Sequence, residues 1–258
     1  MIGKVVGILG VGTIGGSIGM RARRNGAYVL GSDCSSAALD AARDSGAIDA
    51  IAAPDSLRHA GDVVVIATHL EATLSELARL ASQPKASPAL LLDVSSVKAP
   101  VARAARGLWN FVGTHPMAGS ERSGVSGARA DLFDGCSWAY VPSGNDELDG
   151  RAVEFIRWCG GVPVAMEAEE HDRSVALTSH LPQIVASCYA ALLRQNGPDS
   201  QPLCGPVARE LLRIANMNPA MWVDILRANA DNIEPQLRRL TAELQDALSR
   251  YCSVAAKR

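Results

Sequence analysis

His115 is the residue whose type and position most directly suggest acid–base chemistry in this 258-residue sequence. It follows the apolar run 111–113, and Pro116 predicts that the strand ends beside it, because proline lacks the N–H that a central strand uses. A polar residue just past the carboxyl end of a strand in an open α/β sheet lies at the edge where ligands bind. An imidazole there can exchange a proton near neutral pH. The alternative is a histidine that caps the turn and bonds a backbone carbonyl.

Ser96 is the second candidate, because it follows the predicted strand 89–93 and so belongs to the same edge. Its hydroxyl could orient the imidazole of His115 and bond a substrate oxygen. It could also cap the helix that begins near Val97, and the two roles are compatible. Lys98, close by in sequence, either attracts an anionic ligand or is a solvated lysine.

A glycine-rich loop, residues 10–16, indicates a dinucleotide cofactor. It has the context that this motif requires, with a predicted strand (4–9) before it and a helical pattern after it. The first glycine permits a tight turn, the second lets a pyrophosphate approach the backbone, and the third lets helix and strand pack closely. The helix then offers N–H groups and a positive dipole end to the phosphates. The predicted cofactor-binding residues of this loop are Gly10, Gly12, Thr13, Ile14 and Gly15.

Asp33 favours NAD over NADP as the cofactor. It lies just past the predicted strand 27–31, about 20 residues beyond the glycines, where a carboxylate can bind the ribose hydroxyls of NAD and would repel the 2′-phosphate of NADP. An N-cap of the predicted helix 35–45 is its alternative role. Thr68, which follows the buried strand 62–67, is assigned to the same cofactor site.

The elements that must position these residues change in character along the chain. Strands and helices alternate from residue 4 to about 166, with the last strands at 111–114, 138–142 and 162–166. This order is typical of a doubly wound parallel sheet of the Rossmann type. Helical patterns alone follow, at 174–194, 206–215, 219–229 and 232–251, with a break at 197–202. The sequence therefore predicts an α/β dinucleotide-binding domain (1–166) and an all-helical domain (167–258).

Polar residues interrupt the apolar helices of the second half. His180 precedes Pro182, which predicts a kink, and a buried histidine near a kink is often structural. Arg213 lies within an apolar run, so it either pairs with a carboxylate of the protein or binds one on a ligand.

Composition argues against several classes of partner. The net charge is −2 and aromatic residues are 4% of the chain, which disfavours nucleic acid, and no apolar run has the length of a membrane span. The six cysteines show no CxxC pair, so we expect small buried residues in a reducing compartment. The N-terminus lacks a basic leader and the histidines lack metal-binding spacing. The expectation is a cytoplasmic protein without a metal.

Several segments together resemble the prephenate/arogenate dehydrogenase family of tyrosine biosynthesis. The His-Pro-Met-Ala-Gly and Ser-His-Leu-Pro segments are specific to that family, whereas the glycine loop occurs in many others. The matching segments span nearly the whole length in consistent order, at residues 10–15, 93–98, 115–121, 171–172, 179–182, 213–215 and 218–222.

The resemblance implies the NAD-dependent oxidative decarboxylation of a cyclohexadienyl substrate. His115 and Ser96 would be the catalytic residues: His115 would take the proton of the hydroxyl on ring carbon C4 while hydride leaves C4, and Ser96 would hold both groups. Loss of the ring carboxylate as carbon dioxide would make the ring aromatic. The helical half is a dimerisation domain in relatives, so a homodimer is expected. The implied substrate-binding residues are Arg213 (for a carboxylate), His180, Gln183, Glu121 and Ser120.

Gln183 is a departure from the family pattern, because many prephenate-using relatives have a histidine there. Losing that cation weakens the preference for a keto acid, so we expect arogenate to be the better substrate, with prephenate or both substrates as alternatives. A β-hydroxyacid dehydrogenase is the nearest rival, but it needs a lysine in the helical half, where Lys257 is the only one. A non-catalytic NAD sensor would lack a base such as His115.

Overall fold

The computed structural model describes residues 5–83, 89–196 and 202–255. Lys4, most of the predicted break at 197–202, and Lys257 lie outside the described residues. The structure forms two compact units, which divide between His171 and Asp172. The domain boundary after residue 166 remains a prediction.

The first unit contains a six-stranded parallel sheet with the strand order β3-β2-β1-β4-β5-β6. The strand order reverses between β1 and β4, and ligands of such sheets bind at the carboxyl ends of the strands beside that point. The residues of β4 and β5 are buried throughout, as expected for central parallel strands covered on both faces. This arrangement confirms the predicted fold class. The strands are β1 (Val5–Leu9), β2 (Tyr28–Ser32), β3 (Ala50–Ile51), β4 (Val63–Ile66), β5 (Leu90–Asp93) and β6 (Phe111–Val112).

Helices connect these strands and bury one apolar face each. In the fourth helix, for example, Leu70, Leu77 and Leu80 recur at helical spacing and are buried. The sequence patterns missed the short strand β3 and the third helix, which begins at Pro54 in the first helical turn, where proline is tolerated. The helices are α1 (Thr13–Arg24), α2 (Ser36–Asp44), α3 (Pro54–Ala60), α4 (Leu70–Ala81), α5 (Ala99–Ala104) and α6 (Asp146–Trp158).

A second, three-stranded sheet corrects the prediction for residues 111–166. It contains β7 (Thr114–Pro116), β8 (Ser137–Tyr140) and β9 (Val162–Ala165), with β7 antiparallel to β8 and β8 parallel to β9. His115 therefore lies within a strand of this second sheet, three residues past the end of β6 in the parallel sheet. The strand ends at Pro116, as predicted, and β7 lies at the sheet edge, where the missing N–H of proline removes no ladder bond on the open side.

The second unit is helical, as predicted. The first of its helices begins before the division, so that Ala168–Gln195 forms one long helical stretch. This stretch is apolar and long enough to cross a membrane, a property that core helices of soluble proteins share, so it is weak evidence for a membrane location. The helices are α7 (Ala168–Val175), α8 (Leu181–Asn196), α9 (Pro206–Ala215), α10 (Pro219–Ala228) and α11 (Ala230–Ala255).

A π-helical turn, Ala176–His180, joins α7 to α8. Pro182 has no N–H to donate to the carbonyl of Thr178, the residue four positions earlier, so the regular α-helical ladder cannot pass through this point. The kink predicted at Pro182 is thus a change of helical type, of a kind often found beside functional residues.

The cysteines depart in part from expectation. Cys34, Cys136, Cys159 and Cys188 are free thiols, and Cys159 is buried, which raises its pKa. Cys34 and Cys188, however, are exposed, so the prediction of small buried residues was wrong for these two.

A buried ion pair connects the parallel sheet to β7. Asp93, the last residue of β5, and Lys98 both have fully buried side chains, and Lys98 Nζ lies 2.5 Å from Asp93 Oδ2. Lys98 also donates to the carbonyl of Thr114 at 2.6 Å, while the Thr114 N–H donates to Asp93 Oδ1 at 3.0 Å. Lys98 is therefore neither a solvated side chain nor a surface attractor of anions, which corrects both expectations.

The side chain of Thr114 completes this network. Its hydroxyl donates to the Asp93 carbonyl at 2.5 Å and accepts from Trp138 Nε1 at 3.0 Å. Thr114 is held through its N–H, its carbonyl and its hydroxyl, so the network fixes the position of the backbone that leads into His115.

Replacing Lys98 with methionine should destabilise the protein by about 3–5 kcal/mol, because it leaves the Asp93 carboxylate buried without its cation. The measurement is the urea unfolding midpoint followed by circular dichroism. Arg43→Met is the matched control: it breaks the exposed pair with Asp40 and should change stability by less than about 1 kcal/mol. A Lys98→Met loss no larger than that of the control would contradict the assigned role.

Candidate active site

The glycine loop has the backbone shape that a bound dinucleotide requires. Gly10 has φ of +95°, and a Cβ there would lie 2.5 Å from the carbonyl oxygen of Ala67. A Cβ on Gly15 would collide with the carbonyl oxygen of Gly10, so helix and strand approach as closely as predicted. At Gly12, in contrast, a Cβ would meet nothing within 4 Å. Gly12 caps α1 without a side chain, so this open space lies where a pyrophosphate can reach the helix N-terminus.

Asp33 is held beside this loop by backbone donors. Its Oδ2 accepts from the Val11 N–H at 3.0 Å and its Oδ1 accepts from the Ser35 N–H at 2.9 Å. The N-cap of α2 is Ser35, whose hydroxyl accepts from the Ala38 N–H, so capping does not account for Asp33. A carboxylate oxygen accepts more than one hydrogen bond, so each can also receive a ribose hydroxyl. These residues fit a dinucleotide with an unphosphorylated ribose.

Three other residues predicted to bind cofactor engage their side chains within the protein. The Thr13 hydroxyl lies 3.0 Å from the Arg122 carbonyl and 2.8 Å from that of Gly124, and so ties α1 to the loop after β7. Ile14 packs against the core, and Thr68 shares a hydrogen bond with the hydroxyl of a residue in α4, at 2.9 Å. Their roles in cofactor binding remain predictions.

His115 forms a close pair with a second histidine. Its Nδ1 lies 2.9 Å from Nε2 of His171, and the two rings meet edge to face, with centroids 5.1 Å apart and planes at 69°. Both side chains are buried. His115 is fixed by β7, which pairs it with Ala139 of β8, and His171 comes from α7, which follows β9 of the same sheet.

The sequence did not identify His171 as a partner of His115. The pair 171–172 was among the segments that resemble the family, but no pattern connected it to a residue 56 positions earlier. The expected partner was Ser96, which lies half-exposed at the bend after β5. Its neighbour Ser95 is buried, and its hydroxyl has no hydrogen-bond partner among the described residues. The role of Ser96 remains a prediction.

The loop after β7 carries two of the predicted substrate-binding residues. The Ser120 hydroxyl accepts from the Arg122 N–H at 3.1 Å, and Glu121 is exposed. Since Thr13 holds the same loop at Arg122 and Gly124, these two residues are positioned next to the amino end of the cofactor helix.

The remaining predicted residues belong to the helical unit. His180 is buried, and its Nδ1 lies 3.1 Å from the amide nitrogen of Asn229. Gln183 is 4% exposed; its Nε2 lies 3.4 Å from the hydroxyl of Ser187, and its Oε1 is buried with no partner among the described residues. Arg213 forms a two-pronged ion pair with Glu210 at 2.6 and 2.9 Å, which lowers the pKa of Glu210. Arg213 therefore pairs with a carboxylate of the protein, and its role in substrate binding remains a prediction.

Comparison with protein families identifies both halves of the chain. Residues 18–162 match the prephenate dehydrogenase nucleotide-binding domain, and residues 167–253 match the prephenate dehydrogenase dimerization domain.

Individual relatives agree with these matches. Prephenate dehydrogenase of Bacillus subtilis is 36% identical over 88% of this chain, which spans 64% of that protein's length. Cyclohexadienyl dehydrogenase of Zymomonas mobilis is 30% identical over 94% of this chain and 86% of its own. A crystal structure of prephenate dehydrogenase from A. aeolicus superposes on this chain with a TM-score of 0.86. That structure contains hydroxyphenyl propionate and NAD⁺. Its sequence is 26% identical to this one, and the match covers 98% of this chain and 92% of the A. aeolicus chain. A dinucleotide loop, a buried histidine pair and matches over both halves lead to one conclusion: this chain belongs to the prephenate dehydrogenase family.

Proposed function

We propose that this protein is an NAD-dependent dehydrogenase that oxidatively decarboxylates a cyclohexadienyl substrate, with arogenate preferred to prephenate. The observation that carries the proposal is the buried His115, whose Nδ1 is paired with His171 so that Nε2 is the nitrogen assigned to the substrate. Membership of the family supplies the class of reaction.

His115 acts as the base toward the hydroxyl on ring carbon C4. As the O–H bond breaks and the proton moves to Nε2, the C4–H bond can release hydride, which bound NAD accepts. The bond from the ring to its carboxylate then breaks with its electron pair entering the ring, so carbon dioxide leaves, and the C4 oxygen takes back a proton from Nε2 of His115 to give the phenol. Since aromatisation provides much of the driving force, the protein needs mainly to orient the ring and accept one proton. Ser96, at the bend after β5, would hold the same hydroxyl.

Asp33 and Gly12 support NAD as the cofactor. The space at Gly12 admits a pyrophosphate, and the carboxylate of Asp33 would accept the ribose hydroxyls but repel a 2′-phosphate. The A. aeolicus relative was crystallised with NAD⁺ and with hydroxyphenyl propionate, a phenol with a carboxylate side chain. Both ligands are consistent with the proposed cofactor and product class.

Gln183 supports the preference for arogenate. Its buried Oε1 lacks a hydrogen-bond partner among the described residues, and an unsatisfied buried acceptor costs free energy. The ammonium group of arogenate is a donor and would satisfy it, whereas the keto oxygen of prephenate is another acceptor. Sites that pair a buried polar group with one substrate discriminate strongly against the analogue that cannot.

The helical unit supports a homodimer. It matches a dimerization domain, and its helices expose several large apolar side chains that a second copy of the chain could cover. The examples in the described helices are Leu177, Leu192, Val207, Val223, Leu244 and Tyr251. A cytoplasmic location fits the free thiols of Cys34, Cys136, Cys159 and Cys188.

The direct test is the rate of NADH or NADPH formation with arogenate and with prephenate, each at saturating NAD and NADP. We expect the highest kcat/KM for arogenate with NAD. A clear preference for prephenate would refute the substrate assignment, and absence of turnover in all four combinations would refute the reaction.

His115→Asn should lower kcat by roughly 10²–10⁴-fold, because it removes the proton acceptor, while the affinity for NAD measured by fluorescence titration stays unchanged. His59→Asn makes the same chemical change at an exposed position on α3 and should behave as the unmodified protein. Equal turnover by the two variants would rule out His115 as the base.

Gln183→His should move the ratio of kcat/KM values toward prephenate by about tenfold, which corresponds to roughly 1.4 kcal/mol. The change replaces the acceptor with a group that can donate to a keto acid. Gln195→His, at an exposed position of the same helix, is the control and should leave the ratio unchanged. A ratio unaffected by Gln183→His would show that this residue does not distinguish the two side chains.

A further inference from the structure

We infer that His171 is a positioning residue that keeps the proton of neutral His115 on Nδ1 and so leaves Nε2 as the basic nitrogen. The inference rests on the proposed function, in which His115 is the base. The family comparisons and the sequence patterns assign no role to His171.

The geometry of the pair requires one ring to donate and the other to accept. The two nitrogens are 2.9 Å apart, the length of a good hydrogen bond, and the side chains are 8% and 1% exposed, so water cannot readily replace either partner. A neutral imidazole has one N–H and one lone pair. The bond therefore fixes the tautomer of both rings together.

Only one of the two arrangements suits a base. If His171 donated, His115 would carry its own proton on Nε2 and could not accept another there. If His115 donates from Nδ1, its Nε2 keeps a lone pair, and His171 must carry its proton on Nδ1 and accept at Nε2. This second arrangement is the one we assign.

The same bond assists the proton transfer itself. When the substrate O–H bond breaks and an Nε2–H bond forms, the Nδ1–H of His115 remains donated to His171. The positive charge that appears on the first ring then faces a lone pair, and hydrogen bonds from a charged donor are stronger than those from a neutral one. His171 thus stabilises the cation without receiving a proton.

Both rings are held from their backbones. Thr114, next to His115, is fixed by Asp93 and Lys98, and the His171 N–H donates to the Glu167 carbonyl at 2.8 Å within the first turn of α7. The pair is therefore a built feature of the first unit and not the contact of two mobile side chains.

Nitrogen-15 NMR of the full-length protein, labelled at its five histidines, tests the tautomers directly. The spectra distinguish protonated from unprotonated ring nitrogens, and the His115→Asn variant assigns the signals. We expect His115 to be protonated on Nδ1 and His171 to be unprotonated on Nε2 at neutral pH. The reverse pattern would overturn the inference whether or not the protein turns over either substrate.

Kinetics of two variants test whether the acceptor matters. His171→Phe keeps a ring of similar shape without an acceptor and should lower kcat by about 10- to 100-fold, with KM values for substrate and NAD unchanged. His171→Gln, whose carbonyl reaches about as far as the imidazole Nε2, should recover most of that loss. Equal kcat for the phenylalanine and glutamine variants would refute the positioning role, since a packing role would not separate them.

The two proposals fail in different ways. Absence of turnover by the unmodified protein refutes the proposed function, while the NMR result still decides the tautomers. If circular dichroism shows that His171→Phe does not fold, two other results decide the inference: the tautomer pattern and the kcat of His171→Gln. A reversed tautomer pattern overturns the inference. A loss of kcat in His171→Gln as large as that in His115→Asn overturns it as well.

Discussion

The ammonium group of Lys98 is the point on which the arrangement of the first unit depends. It bonds a carboxylate at the end of β5 and a carbonyl at the start of β7, and it is shielded completely from water. Removing two charges from water costs free energy that their attraction does not always recover, so a gain in stability alone does not explain this buried ion pair. Its effect is specific, because it joins the two sheets at Thr114, the residue before the proposed base His115.

In the proposed mechanism, each sheet supplies a different part of the chemistry. The carboxyl ends of β1 and β2 provide the glycine loop and Asp33, which fit a dinucleotide. The small sheet provides His115, and the chain that leaves its last strand provides His171. A base presented from a separate sheet can be placed by its own strand pairing, independently of the loop that holds the cofactor. Thr13, bonded to carbonyls of the loop after β7, is a second link between the two parts.

Local patterns predicted the parts of this structure that depend on neighbours in sequence. The glycine loop, the buried strands β4 and β5 and the helical second half were all predicted, because periodicity and glycine positions determine them. The small sheet was not predicted, since nothing in the local sequence shows that β7, β8 and β9 pair with one another and not with the parallel sheet. The partner of His115 was missed for the same reason. A hydrogen bond to a residue 56 positions away depends on how β7, β8 and β9 pair, and no spacing rule encodes that pairing.

The π-helical turn at Ala176–His180 has a consequence for how such a protein could diverge. A π turn holds one residue more than an α-helical turn, so deleting a single residue there would replace the π turn with an α-helical one, with the hydrogen bond at Pro182 still missing. Every side chain after the deletion would then change its azimuth by about 100° relative to those before it, since an α-helix has 3.6 residues per turn. Gln183 would leave its buried orientation in one step, while the residues of β7 would not change. A one-residue deletion, which usually disrupts a helix, could here act as a switch of side-chain register.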